Sequence, residues 1–194
     1  MNEVLVLHAA LSGIASVQAV TRLLEALPYA YRLAIGRRDE DARLASLAGI
    51  ALLLEAVRWT RGEPPDLRSL RAPAGGKPML ESGPPFSIAH SAARVAVAIG
   101  ERGELGLDVE DLGSGGRTLR EIECWTATEA ALKAMGAGLR ELRAVRLDDD
   151  LRGARFGATR LHLRPVTLAD GCVACLASAD PVSAVKVREI EWPV

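Results

Sequence analysis

The sequence predicts an α+β fold, on three observations. Short apolar runs at 4–7, 95–99 and 105–110 have the length and β-branched content of strands. Longer stretches at 39–59 and 125–136 repeat apolar residues at the three- and four-residue spacing of helices. The last third, around 144–147, 154–163, 172–177 and 185–190, reads as strands parted by turns containing Asp and Gly.

At 194 residues the chain can hold one ordinary domain or two small ones sharing a core. A formal charge of −1 gives no bulk reason to expect nucleic acid or an acidic membrane as partner, so any basic site must be local. Lysine is scarce, with Lys77, Lys133 and Lys186 the whole set. In the first run, Glu3 precedes Val4, no basic residue flanks it and His8 interrupts it, so it reads as a strand and not as a signal sequence. The longest apolar stretch, Leu47 to Leu54, falls far below the roughly 20 residues that span a bilayer, and a cytosolic location is expected. Cys124, Cys172 and Cys175 are an odd set without a secretory signal. Cys172 and Cys175 match a C-x-x-C spacing, but they lie in a strand-like run with no second pair to complete a zinc site, so core packing is expected of them.

In order, a helix is expected from Ser16 to Leu27, stopped by Pro28, and then a connecting segment carrying Arg32, Arg37 and Arg38. The longest helix opens at Asp39 or Asp41 and runs to about Trp59, with Arg43 in its first turn, where free N–H groups favour anions. Arg61 to Pro78 reads as a loop finishing in Gly75-Gly76-Lys77-Pro78, and the Pro84-Pro85 pair leads into Phe86-Ser87-Ile88-Ala89-His90-Ser91. Gly103 and Glu104 mark the junction between two halves, 1–103 and 104–194, with no residue-level repeat between them. The segment 111–124, with Gly113-Ser114-Gly115-Gly116 in it, reads as a short flexible link. Trp125 to Gly136 is then a helix with Thr126 as its N-cap, a capping box to Glu129, and an i, i+4 pair between Glu129 and Lys133.

Leu105-Gly106-Leu107-Asp108-Val109-Glu110 is the most informative stretch. A strand alternates its faces, so Leu105, Leu107 and Val109 point one way while Gly106, Asp108 and Glu110 point the other. Two carboxylates roughly 6–7 Å apart on one face call for water, a basic partner or a hard cation bound through oxygen. The alternatives are a magnesium site, with Gly106 leaving space beside the carboxylates, and a strand running out into solvent.

Taken in order, Gly76-Lys77-Pro78, Phe86-Ser87-Ile88-Ala89-His90-Ser91, Gly106-Leu107-Asp108-Val109-Glu110 and Trp125-Thr126-x-x-Glu129-x-x-x-Lys133-x-x-Gly136-x-Gly138-Leu139 resemble the 4'-phosphopantetheinyl transferase superfamily, in its larger, pseudo-dimeric (Sfp-type) branch. The likeness is specific from about Asp39 to Leu139. It implies two similar α+β halves with coenzyme A in the cleft between them, and transfer of the phosphopantetheine arm of coenzyme A to a serine of an acyl or peptidyl carrier protein. By that resemblance Asp108, Glu110 and Glu129 hold Mg²⁺, Glu129 is also the base, and Lys133 faces the phosphates. Lys77 and His90 contact coenzyme A phosphates, and Arg43, with Arg37 or Arg38, its 3'-phosphate. The chain departs from the family pattern at Ala89, where serine is usual, and in the short interval 111–124, which in the family helps receive the carrier. The expectation is a monomer, with a partner subunit as the natural repair for that interval. A coenzyme A or carrier-binding relative without transfer, and a Mg²⁺-dependent phosphoester hydrolase, are the rival functions.

Overall fold

Strand β1 (Glu3–Ala10) buries both of its faces, because each meets a different layer. The computed structural model describes residues 2–13, 17–71 and 76–192. After β1 come α1 (Val17–Ala26), α2 (Tyr29–Gly36), α3 (Glu40–Arg61), β2 (Leu70–Arg71), β3 (Met79–Leu80), β4 (Phe86–His90), β5 (Arg94–Gly100) and β6 (Leu105–Asp111). Then follow α4 (Leu119–Ala134), β7 (Val145–Leu147), β8 (Gly153–Phe156), β9 (Thr159–Val166), β10 (Cys172–Ser178) and β11 (Ala184–Glu189). The architecture is α+β. No helix among the described residues is long and apolar enough to cross a membrane.

Two main sheets stack between two helices. The first has the order β11-β1-β5-β4 and the second β6-β10-β9-β8-β7. Leu7, Val95, Val97, Ile99 and Phe86 pack outward from the first sheet against Leu47, Ile50, Leu53 and Val57 of α3. Val4, Val6, Ala89, Ala96 and Ala98 pack inward against Leu105, Leu107, Val109, Ala174 and Leu176 of the second sheet. The outer face of the second sheet carries Leu161, Leu163, Cys175 and Ala177 under Ala127, Ala130, Ala131 and Ala134 of α4. Cys175 therefore packs in the core, as its place in a strand predicts, and burial pushes its thiol up to about 12. All three cysteines are free.

Local chemistry explains most boundaries. Asp39 accepts from the Ala42 amide at 2.8 Å and caps α3, and Gly62, in the left-handed conformation at φ 88°, ends it. The cut expected near Gly103 separates the two sheets except at β11, which returns to the first sheet and pairs in parallel with β1. Its seat is fixed by Arg94, which donates to Glu189 Oε1 at 2.8 Å and contacts the buried His8 Nδ1 at 2.9 Å. The segment holding Arg32 is helical as α2, because Tyr31 and Ile35 bury one face of it. The expected loop from Arg61 to Pro78 contains the short strand β2, which pairs with β3 just after it. The run 154–163 is two strands, β8 and β9, folded about a turn at Gly157, whose φ is 58°. The expected helix start at Ser16, and Gly75, lie outside the described residues.

The start of α4 corrects the sequence reading. Thr118, not Thr126, is its N-cap: the Thr118 hydroxyl accepts from the Glu121 amide, and Glu121 accepts from the Thr118 amide at 2.7 Å. Thr126 is wholly buried mid-helix and donates back to the Ile122 carbonyl at 2.7 Å. Much of the interval read as a flexible link is thus the first turns of the helix.

Candidate active site at the β6–α4 contact

Gly106 does not leave open space beside the carboxylates. A Cβ there would fall inside van der Waals contact with the Ala130 carbonyl oxygen and the Ala134 amide nitrogen of α4, and 3.0 Å from Ala134 Cα. The backbones of β6 and α4 therefore meet directly. That approach sets the register that brings Lys133, on the last turn of α4, to Asp108: Nζ lies 2.6 Å from Oδ1. Lys133 makes no pair with Glu129, the partner its spacing suggests, because Asp108 takes it.

Asp108 is 3% exposed, so the reading of β6 as a strand running into solvent fails at this residue. Its second oxygen, Oδ2, is buried without a hydrogen-bond partner. Burial pushes its carboxyl up to about 7, against the attraction of Lys133, and the negative charges of Glu129 and Glu110 add to the rise. Glu110, half-buried, accepts from the Trp125 indole, Nε1 to Oε1 at 2.9 Å. Glu129 forms no hydrogen bond or ion pair among the described residues, and burial, with Glu110 nearby, raises its pKa while Lys133 and Arg117 oppose the rise. The guanidinium of Arg117 lies over the Trp125 ring at 5.2 Å.

The sequence also named residues on the first sheet. His90 stands at the exposed end of β4 in a 640 Å³ cleft shared with Ser91, Ala93 and the start of α3 at Asp39, Asp41 and Ala42. Desolvation lowers its pKa, and so do the positive charges of Lys133 and Arg38. Cations from α4 and from the turn before α3 are thus within electrostatic reach of this one imidazole. Arg38 is braced by Ser46, donating to its Oγ at 2.9 Å. Lys77 lies in a second cleft, of 630 Å³, with Glu104, Met135 and Gly136. There its Nζ donates to the Leu105 carbonyl at 2.6 Å, and burial lowers its pKa. Arg43 is half-buried on the first turn of α3 and lines neither cleft.

Trp125 and Ser87 are the supporting residues that sequence reasoning left without a role. Ser87, 2% exposed, accepts from the Leu107 amide at 2.9 Å and ties the edge of the first sheet to β6. Ser91 and the Ala93 amide donate to the two oxygens of Asp111, at 2.6 and 3.1 Å, fastening the end of the same strand. A buried serine before a strand pairing across sheets leaves no periodic signal.

Among the described residues no three His, Cys, Asp or Glu side chains converge closely enough to cage a metal unaided. A magnesium ion does not require such a cage, since it keeps waters and takes one or two carboxylates beside substrate phosphates. The orphaned Asp108 oxygen, with Glu110 and Glu129 within electrostatic reach, fits that chemistry. No protein-family model matches this chain, and no curated protein matches it.

Proposed function

We propose that this chain transfers the 4'-phosphopantetheine arm of coenzyme A to a serine of an acyl or peptidyl carrier protein, releasing adenosine 3',5'-bisphosphate. The observation that carries the reading is Asp108: a buried carboxylate with one oxygen on Lys133 and the other unpartnered, beside two further carboxylates. Such a cluster is stable when a divalent cation and a phosphate complete it.

In this reading Asp108, Glu110 and Glu129 hold Mg²⁺, which would supply positive charge against the pyrophosphate. Glu129, with its raised pKa and free carboxylate, takes the proton of the carrier serine. The serine oxygen bonds to the phosphorus that bears the pantetheine arm, and the bond from that phosphorus to the adenosine bisphosphate breaks. Lys133, about 29% exposed, offsets charge on the departing phosphate. In this reading His90 and Lys77, each in its own cleft, contact the remaining phosphates of coenzyme A, and Arg43 with Arg38 takes the 3'-phosphate. The two-half plan implied by the resemblance is supported by the layering, in which each sheet carries one long helix on its outer face.

A second reading, a relative that binds coenzyme A or a carrier without transfer, is favoured by the brevity of 111–118 before α4. The test is the intact mass of fatty-acid, polyketide and peptide carriers after incubation with the protein, coenzyme A and Mg²⁺, beside Glu129→Gln. Gain of one phosphopantetheine arm, absent in the variant, is the expected result. Coenzyme A binding with no mass gain on any carrier would favour the second reading. Cleavage of coenzyme A without a carrier would mean a phosphoester hydrolase.

A further inference from the structure

The face of the second sheet that buries Val166, Ala174 and Leu176 against the first sheet continues beyond it uncovered. There it carries arginine. Arg146 of β7 is directly opposite Arg155 of β8, and Arg155 is opposite Arg160 of β9, so three guanidinium side chains stand in one row across three strands. His162 and Arg164 follow on the same face of β9, and all five are exposed. On the reverse face the same strands bury Val145, Ala154, Leu161 and Leu163 under α4.

Folding alone does not account for this row. Like charges directly opposite on a sheet destabilise it, and the local acids do not neutralise them. Among the described residues only Arg160 of this row has a carboxylate, Asp148 Oδ2 at 2.6 Å, in a pair that crosses the bare backbone of Gly153. Arg146 donates to the Arg143 and Val145 carbonyls at 2.8 and 3.4 Å, and Arg164 to the Val182 carbonyl at 3.2 Å. Arg155, at the centre, and Arg152 beside it have no side-chain hydrogen bond or ion pair among the described residues. Beside Arg152 and Arg164 a 290 Å³ cleft opens, lined by His162 and by Ser178, which is 4% exposed.

We propose that this face docks the acidic surface of a partner protein, with Arg146 and Arg155 as its central contacts. Arginine's planar fork matches carboxylates, and neighbouring strands space these groups at roughly 5 Å. Acidic protein fits better than nucleic acid, because Asp148 already stands on this face against Arg160 and would repel a continuous phosphate backbone. The inference does not rest on the transfer reaction, since this surface lies on the opposite face of the sheet from Asp108.

The test uses the full chain and a labelled helical peptide of Glu-Ala-Ala-Ala repeats, whose carboxylates share one helix face. Arg146→Glu/Arg155→Glu is compared with Arg58→Glu/Arg68→Glu, a charge-matched pair elsewhere on the surface. The wild type is expected to bind at low salt and to weaken as salt rises. The first variant should lose roughly tenfold or more in affinity with no loss of thermal stability, because repulsion between positions 155 and 160 becomes attraction while that between 146 and 155 is only exchanged in sign, and the second should lose little. No binding at low salt, or equal losses in both variants, would overturn the proposal. So would tighter binding of a single-stranded oligonucleotide that Arg146→Glu/Arg155→Glu abolishes, which would identify a nucleic-acid surface.

Discussion

Replacing Asp108 with asparagine should make the protein more stable at pH 8, not less. The folded state holds this carboxyl near 7 against an ordinary 3.8, with burial as the main cause. Between those values the folded protein binds more protons than the unfolded chain, so the favourable contribution is complete below about pH 4 and is lost as pH rises through 7. At about 1.4 kcal/mol per pH unit, the ionised carboxylate costs the fold on the order of 4 kcal/mol at pH 8, Lys133 included. Asparagine keeps the shape and an acceptor for Lys133 Nζ but never ionises. Urea unfolding with a chelator present should therefore give curves that nearly coincide at pH 4 and separate at pH 8 by about 2–4 kcal/mol in favour of Asp108→Asn. Added Mg²⁺ should raise the stability of the wild type and not of the variant, by mass action on the folded state. A variant less stable than wild type at pH 8 with chelator would show that Lys133 outweighs burial and would refute the reasoning.

Substitutions at three further positions test the frame around the site. Gly106→Ala should destabilise the protein by at least about 3 kcal/mol in urea unfolding, because the obstructing atoms are backbone atoms of α4 that cannot rotate aside; a wild-type midpoint would contradict the close approach. Ser87→Ala leaves the buried Leu107 amide unpaired and should cost about 1–3 kcal/mol by the same measurement, whereas an unchanged midpoint would mean the bond at 2.9 Å contributes nothing. Thr118→Ala should cost about 1 kcal/mol, whereas Thr118→Ser, which keeps the capping hydroxyl, should cost little; an unchanged midpoint for Thr118→Ala would mean that this cap contributes nothing.

The strands and the long helix were legible because their burial follows simple periods. Leu105, Leu107 and Val109 alternate in sequence and sit together between the sheets. Asp39 signalled the start of α3 as a cap does. The start of α4 was written in the sequence as Thr118-x-x-Glu121, but an equally good Thr126-x-x-Glu129 pattern follows it two turns on, and local chemistry does not rank two such boxes. The partner of Lys133 was not legible at all. On a helix, Glu129 is one turn away, while Asp108 is reached only through the β6–α4 contact that Gly106 permits. The supporting bonds from Trp125 and Ser87 are likewise tertiary, and single side chains of that kind leave no repeating signal.

The physical position of β6 links stability to the proposed chemistry. Its apolar face is locked between the sheets, and it is fastened along its length by Ser87 of the first sheet at the Leu107 amide, by Lys77 at the Leu105 carbonyl, and by Ser91 at Asp111. A carboxylate on so rigid a strand cannot swing outward to find water, so Asp108 keeps its charge only while a cation stays beside it. Lys133 fills that need at one oxygen and leaves the other open. A protein optimised for stability alone would place an apolar or amide side chain at this position. In the proposed chemistry, a carboxylate relieved at only one oxygen, with Glu110 and Glu129 adding to the cost of its charge, is suited to receive further positive charge.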